Sequence, residues 1–445
     1  MTVPALQLRF WRESITWALR LLCICAGTLA GAFGRAAQAR VIVLEHATLV
    51  DGTGAAPVSD ARVVIRGDRI VAAGPAATTA EPPGAERVDL AGKVVLPGLI
   101  DLHFQIEDDP RLALRQLSHG VTSFRDPGQW EEKFVELREM IASDRLPGPR
   151  IFTAGPHIDG ERPAYPADAI VARDPDEARA SAQRNIERGA TSLKIYFRLP
   201  LASARAVIDV CKAHGIPCTA HLEILDARDL IAYGLDGVEH ITSLGSALLP
   251  RMARERYRQS VLRDSDARRE GRYDVFSSAD LDGEKAQALY ALLRQRRPWI
   301  DATLAVFEVR STPRRARTTE ARQAEMVAGF QKMQRLAGRI SQAGARLVMG
   351  GPSTVPYASR GEAPWRELEL LVDSGLTPLQ AIHAATGEAA AFLHRASDLG
   401  TVQSGRLADV IVLGSDPVQS IGNIRSVERV MAGGEWVDVE RYRTY

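Results

Sequence analysis

What most constrains this chain is the rhythm of its middle. From residue 97 to about residue 397, short apolar segments alternate with Ala-, Arg- and Glu-rich helical stretches. Eight strand segments read in order. They are GLIDLH (98–103), GVTSFRD (120–126), RIFTAGPHI (150–158), TSLKIYFR (191–198), IPCTAHLE (216–223), GVEHITS (237–243), WIDATLAV (299–306) and RLVMGG (346–351). Helical stretches such as DPDEARASAQRNIERG and TPLQAIHAATGEAAAFL lie between and after them. Strands spaced this way pair in parallel through crossover helices, and eight of them close into a TIM-like (β/α)8 barrel. The fold class is therefore α/β.

The flanks read differently. Residues 40–96 hold short alternating strands, with a hairpin signal at Gly67-Asp68 between two apolar runs. Residues 398–445 return to strands and turns. Neither flank is long enough to hold a core alone, so the two together predict one small β-sandwich domain built from both chain ends. The barrel, residues 97–397, is inserted between them. Its longest interruption, about 244–282, carries RMARERYRQSVLRDSDARREGRYD, a charged helical insertion at the barrel mouth.

Residues 1–39 stand apart. Arg9, Arg12 and Arg20 precede the apolar run LLCICAGTLAGAFG, and Ala37 and Ala39 flank Gln38. A basic start, a short apolar core and an A-x-A site predict a signal peptide, export to the periplasm or medium, and no stable membrane insertion after cleavage. Fifty-six basic residues balance 55 acidic ones in the 445-residue chain. That balance gives no nucleic-acid footprint. An oligomer is compatible with it. The cysteines beyond the leader, Cys211 and Cys218, are expected as buried free thiols.

Chemistry-bearing residues gather at the strand ends. His103 closes the first strand, Asp126 the second, and His157 follows the third. Lys194 lies in the fourth strand, His221 in the fifth and His240 in the sixth. In such a barrel the C-terminal strand ends converge on one mouth. Imidazoles there are ligands for zinc and related ions. A desolvated lysine beside a metal can react with CO2 to give an anionic carbamate ligand.

The motifs PGLIDLH (97–103), GVTSFRDPG (120–128), LKIY (193–196), AHLE (220–223) and GVEHITS (237–243) continue into late helices at 365–393 and a closing segment, LGTVQSGRLADVIVLGSDP. In this order they resemble the amidohydrolase superfamily, especially its imidazolonepropionase-like and Xaa-dipeptidase-like branch. The resemblance implies a metal-dependent hydrolase of C–N bonds acting on a small amide, dipeptide or cyclic amide. It implies His103, His221 and His240 as metal ligands, with Lys194 in its carboxylated form. Two positions depart from the pattern. Gln105 stands where the first strand's second histidine belongs, and Pro352 stands where the eighth strand's aspartate belongs. The expectation is a reduced site with one divalent ion, zinc, on the side of Lys194, His221 and His240, or none at all. Glu223 and Asp301 are then the candidate replacements for the missing proton carrier, Asp301 the weaker of the two, and Glu223 reads more readily as a partner that orients His221. Tyr196, Arg198 and His157 are the candidate substrate contacts. The alternative is a binding protein on the same scaffold with catalysis lost.

Overall fold

The computed structural model describes residues 40–445 except 107–108, 144, 146 and 313–318. The leader expected over residues 1–39 lies outside them. Among the described residues, no helix is long and apolar enough to cross a membrane.

The first five strands are β1 (Val41–Leu49), β2 (Val58–Arg66), β3 (Arg69–Pro75), β4 (Glu86–Asp89) and β5 (Val94–Pro97). β2 and β3 form the hairpin, with Arg66 opposite Arg69 across the two-residue turn Gly67-Asp68. The barrel strands follow: β6 (Leu99–Asp101), β7 (Val121–Asp126), β8 (Arg150–Thr153), β9 (His157–Asp159), β10 (Ala169–Val171), β11 (Leu193–Ile195), β12 (Cys218–His221), β13 (Gly237–Glu239), β14 (Trp299–Asp301) and β15 (Arg346–Val348). The chain ends with β16 (Val410–Leu413), β17 (Val427–Ala432) and β18 (Glu435–Trp436).

Strands from both chain ends share one hydrogen-bonded network, in the order β18-β17-β16-β5-β1-β2-β3. β1 is its branch point. Residues 42–45 pair with β4 and residues 48–49 with β5, the switch falling at the bulged His46, which has φ +62°. Ile42, Leu44, Val63, Ile65, Val95, Val410, Val412 and Met431 form a core of its own beneath these strands. Arg150, at the start of β8, reaches Asp409 with Nε at 3.0 Å and clamps the barrel to this domain.

Parallel pairing runs β6-β7-β8 on one side and β9-β11-β12-β13-β14-β15 on the other. Single bonds join the two runs at both seams. The Thr191 N–H donates to Thr153 O at 2.8 Å, and the Leu102 N–H donates to Met349 O at 3.0 Å. A third strand unbroken over residues 150–158 is a sequence expectation that the structure corrects. Gly155, at φ +65°, and the N–H-less Pro156 split it into β8 and β9. β10, which pairs in parallel with β9, is an addition the sequence did not announce. The insertion is helical at Arg251–Arg263 and Arg268–Ser278. Cys211 and Cys218 are buried free thiols. Burial, and then the neighbouring Cys211, push the Cys218 thiol up.

Glu367 shows how a buried carboxyl holds this scaffold. It lies on the helix Ala363–Asp373 and accepts from the Leu304 and Ala305 N–H groups at 2.8 and 2.9 Å, capping the helix Leu304–Ser311. Burial pushes its carboxyl up to about 8. An unfolded glutamate ionises near pH ~4.3, so between there and pH 8 the folded chain holds a proton that the unfolded chain has released. The group's contribution to stability therefore falls as pH rises across that window. In Glu367→Gln, one of the two N–H groups faces an amide NH2 and the protein is less stable. The stability difference from wild type should also shrink between pH 5 and pH 8, by roughly 1–3 kcal/mol. Urea midpoints across pH measure it. A constant difference would show that Glu367 ionises normally.

Candidate functional site

A cavity of about 430 Å³ opens at the C-terminal ends of the barrel strands. His103, Lys194, His221 and His240 all reach it, from the ends of β6, β11, β12 and β13. His157 and Tyr196 also line it, their rings 4.3 Å apart. The two departures from the family pattern, Gln105 and Pro352, lie on the same wall.

Each of the three clustered imidazoles is fixed by one nitrogen. His103 Nδ1 lies 2.7 Å from Asp301 Oδ2. His240 Nδ1 lies 2.6 Å from Thr303 Oγ1. His221 Nε2 lies 3.0 Å from Glu223 Oε1 and 2.8 Å from Arg272 Nη2. The last two contacts are alternatives, because one ring nitrogen cannot donate to the carboxylate and accept from the guanidinium at once. His221 Nδ1 is buried without a hydrogen bond, and no hydrogen bond engages Nε2 of His103 or His240 among the described residues. His240 sits between the other two, with ring centroids 4.7 Å from His103 and 4.5 Å from His221. Its backbone has φ +65°, unusual for a residue with a Cβ, and the Asp301 carbonyl holds its N–H at 2.7 Å. Such conformations cost of order 1–3 kcal/mol and persist where a side chain must point one way.

Behind the imidazoles lies a buried charge network. Glu239 takes the Arg125 guanidinium at 3.0 Å and the Thr219 hydroxyl at 2.6 Å on Oε1. On Oε2 it meets Lys194 Nζ at 2.5 Å, an ion pair by distance but without the alignment of a hydrogen bond. Burial pushes the Glu239 carboxyl up. Lys194 and Arg125, helped by His103 and His240, overcome that and hold it well below the usual range.

His103, Glu239 and His240 together bring three ligand atoms within 4.8 Å of one another. Two imidazoles and a carboxylate are a ligand set for zinc-type ions, and Asp301 and Thr303 each fix one nitrogen of the two rings. Glu239 Oε2 has no hydrogen bond and meets Lys194 by distance alone, so it is the acceptor such an ion would share. The residues present thus fit a divalent cation.

Two expectations need correction, those for Arg198 and Asp301. Arg198 does not reach the cavity. Its guanidinium donates to Val261 O at 2.9 Å and Ser265 Oγ at 2.7 Å, fastening the insertion to β11. Glu223 lies outside the cavity lining, against His221, where an orienting partner would sit. It is 2% exposed and held by Tyr257, by Arg272 Nε at 2.6 Å and by His221. Asp301 lies behind His103 rather than beside the open space. Gly350 permits that contact, since a Cβ there would fall 2.4 Å from Asp301 Oδ1 and 2.6 Å from the His103 Cβ. Asp126 likewise faces inward to the loop backbone, accepting from the N–H groups of Ile106 and Gly128. Sequence reasoning missed Glu239, Arg125 and the arginines 268, 272 and 310, which also line or underlie the cavity.

The profile of the Amidohydrolase family matches residues 312–437. The imidazolonepropionase of Pseudomonas aeruginosa is 29–30% identical to the chain over 221–223 residues, 47% of this chain and 48% of that protein. The chain thus spans about half the length of the curated relatives it matches. Among solved structures, a putative prolidase from Bifidobacterium longum superposes with a TM-score of 0.69 at 24% identity, covering 91% of this chain and 98% of that one. A Xaa-Pro dipeptidase with methionine in its active site gives 0.67 at 20% identity, over 89% and 99%. Molinate hydrolase gives 0.67 at 20%, over 91% and 96%. These likenesses show the fold, a barrel with a flanking β-domain, and residues 312–437 match the Amidohydrolase family.

Proposed function

We propose that the protein is a metal-dependent hydrolase of C–N bonds in a small amide, dipeptide or cyclic amide, working with one divalent ion, zinc by ligand chemistry. The observation that carries this reading is the gathering of ligand atoms from His103, Glu239 and His240 within 4.8 Å of one another at the cavity. His103, His240 and Glu239 would hold the ion. Bound there, it would supply Lewis acidity, lowering the pKa of water and polarising a carbonyl.

The chain's own residues do the rest. Asp301 and Thr303 fix the tautomer and direction of His103 and His240. His157, which burial and then the Lys194 charge bring down to about 3, stays neutral near pH 7 and offers its unpartnered Nε2 to a substrate polar group. Tyr196 gives that group a flat apolar wall. Lys194 serves as counter-ion to Glu239 in this arrangement.

A second arrangement is favoured by the orphaned His221 Nδ1: an ion on His221, His240 and carboxylated Lys194. Metal analysis separates the two. Purified protein should carry one equivalent of zinc and turn over N-acyl amino acids or dipeptides. His103→Asn should lose the metal while His221→Asn keeps it, and no carbamate carbon should appear by NMR with 13C-bicarbonate. Loss from His221→Asn alone, with a carbamate signal, would select the second arrangement. Two tightly bound equivalents would refute both.

A further inference from the structure

We propose that the opposite end of the barrel carries a second ligand site, formed by Arg296, Arg297 and Arg346, that takes a phosphate-type dianion, free or as the head of a small phosphomonoester. The site is separate from the hydrolase reading and does not depend on it.

β13, β14 and β15 run parallel, and their C-terminal ends lead into His240, Thr303 and Gly350 beside the first cavity. A second cavity, of about 390 Å³, opens at their other ends, beside Asp236, Pro298 and Arg346. Backbone pairing brings its arginines together. The Arg346 N–H donates to Pro298 O at 3.2 Å, and Arg346 is the register partner of Trp299. Arg296 and Arg297, at the end of the helix Glu284–Arg296, directly precede that proline. All three arginines line the cavity.

Their charges are poorly answered by the protein. Arg296 and Arg297 are exposed, and neither guanidinium has an ion pair or hydrogen bond among the described residues. Arg346 lies over the Trp299 ring, 4.1 Å from its centroid. It donates to Glu388 through Nε, which leaves both Nη groups without a hydrogen bond among the described residues. Trp299 Nε1 donates to the same carboxylate at 2.9 Å and so fixes the ring beneath the guanidinium. The acidic residue of the lining is Asp236. Its Oδ2 accepts the Cys218 N–H at 2.9 Å. Burial pushes its carboxyl up, and that N–H, His394 and Lys212 oppose the rise. Within the lining, then, three guanidinium groups face one carboxylate, and Glu388, just outside it, offsets one of the three.

A lone exposed arginine is screened by water. Several of them on one concave wall focus the field and draw in an anion. The backbone adds a second sign. Arg297 has φ +48° and ψ +49°, at the helix end where Leu201–His214 and Ala227–Tyr233 place Gly215 and Gly234 in the left-handed region. Glycine takes that conformation freely, whereas arginine takes it at a cost. A phosphoryl group brings about two negative charges and three acceptor oxygens, enough for three guanidinium forks. A carboxylate brings half that charge. Ile231 and Leu235 line the same cavity and give the organic part of an ester an apolar wall.

The test is calorimetric titration of the purified protein with phenyl phosphate, inorganic phosphate and benzoate. Phosphate binding should be at least tenfold tighter than benzoate binding. Tighter binding of phenyl phosphate than of inorganic phosphate supports the site with an ester as its ligand, and equal affinities support it with the free ion. Arg296→Gln/Arg297→Gly removes two of the cations and relieves the left-handed backbone. It should weaken phosphate binding roughly tenfold to a hundredfold and leave benzoate unchanged. A thermal melt verifies that it folds, and Arg297→Gly alone is the second variant if it does not. Binding of neither phosphate overturns the site, and so does benzoate binding as tightly as phosphate. Phosphate binding that survives the substitutions also overturns it, because the ion would then sit elsewhere, in the first cavity.

Discussion

Replacing His240 by Asn should strip the protein of bound metal and cut turnover by roughly three orders of magnitude, about 4 kcal/mol of transition-state stabilisation. This is the largest catalytic effect expected of any single substitution, because His240 belongs to both ligand sets that the cavity can assemble. Its ring lies between His103 and His221, and its strained backbone exists to hold it there. Thr303→Val probes the same residue at one remove. It deletes the oxygen 2.6 Å from His240 Nδ1 and should weaken metal affinity by roughly tenfold to a hundredfold. Metal content by elemental analysis and steady-state rates with added zinc measure both. A His240→Asn protein that retains its ion and its rate would remove the proposed centre.

How much of this was legible in the sequence follows from what each residue does. The barrel could be read because apolar strand segments and polar helical stretches alternate, and the strand-end histidines could be read because barrel geometry gathers such positions at one mouth. Glu239 and Arg125 were passed over although each sits inside a quoted motif, GVEH and SFRD. A charged side chain inside a short apolar strand of a closed barrel has nowhere to go but the interior, and that was the available signal. Arg268 and Arg272 were hidden in a stretch so rich in charge that it reads as a solvated face. Their spacing of four places both on one side of a helix, yet nothing in the pattern says which side faces the cavity. Arg198 was misjudged for the opposite reason. Its position after Lys194 was right for the mouth, but the insertion that captures it comes from more than sixty residues further along the chain, and strand alternation carries no information about such a contact.

Glu239→Leu should be the most destabilising change in the barrel, by roughly 3–5 kcal/mol, because it leaves two buried cations without an anion. Arg125 and Glu239 are each 1% exposed, and the Lys194 side chain is 5% exposed. Arg125 would keep Ser192 Oγ, Leu102 O and Thr219 Oγ1 as acceptors. Lys194 would lose its sole recorded ion-pair partner among the described residues and is expected to suffer more. The double variant Glu239→Leu/Lys194→Met should therefore recover part of the loss, and adding Arg125→Leu should recover more if the volume left by the guanidinium collapses. Because Glu239 also belongs to the proposed ligand set, the comparison is made on chelator-treated protein, where lost metal binding cannot contribute to the difference. Urea midpoints followed by circular dichroism give the energies. If Glu239→Leu matched wild type under those conditions, the network would be a loose set of neighbours rather than a mutually neutralised cluster, and the fixed placement of Lys194 beside the imidazoles would lose its physical basis.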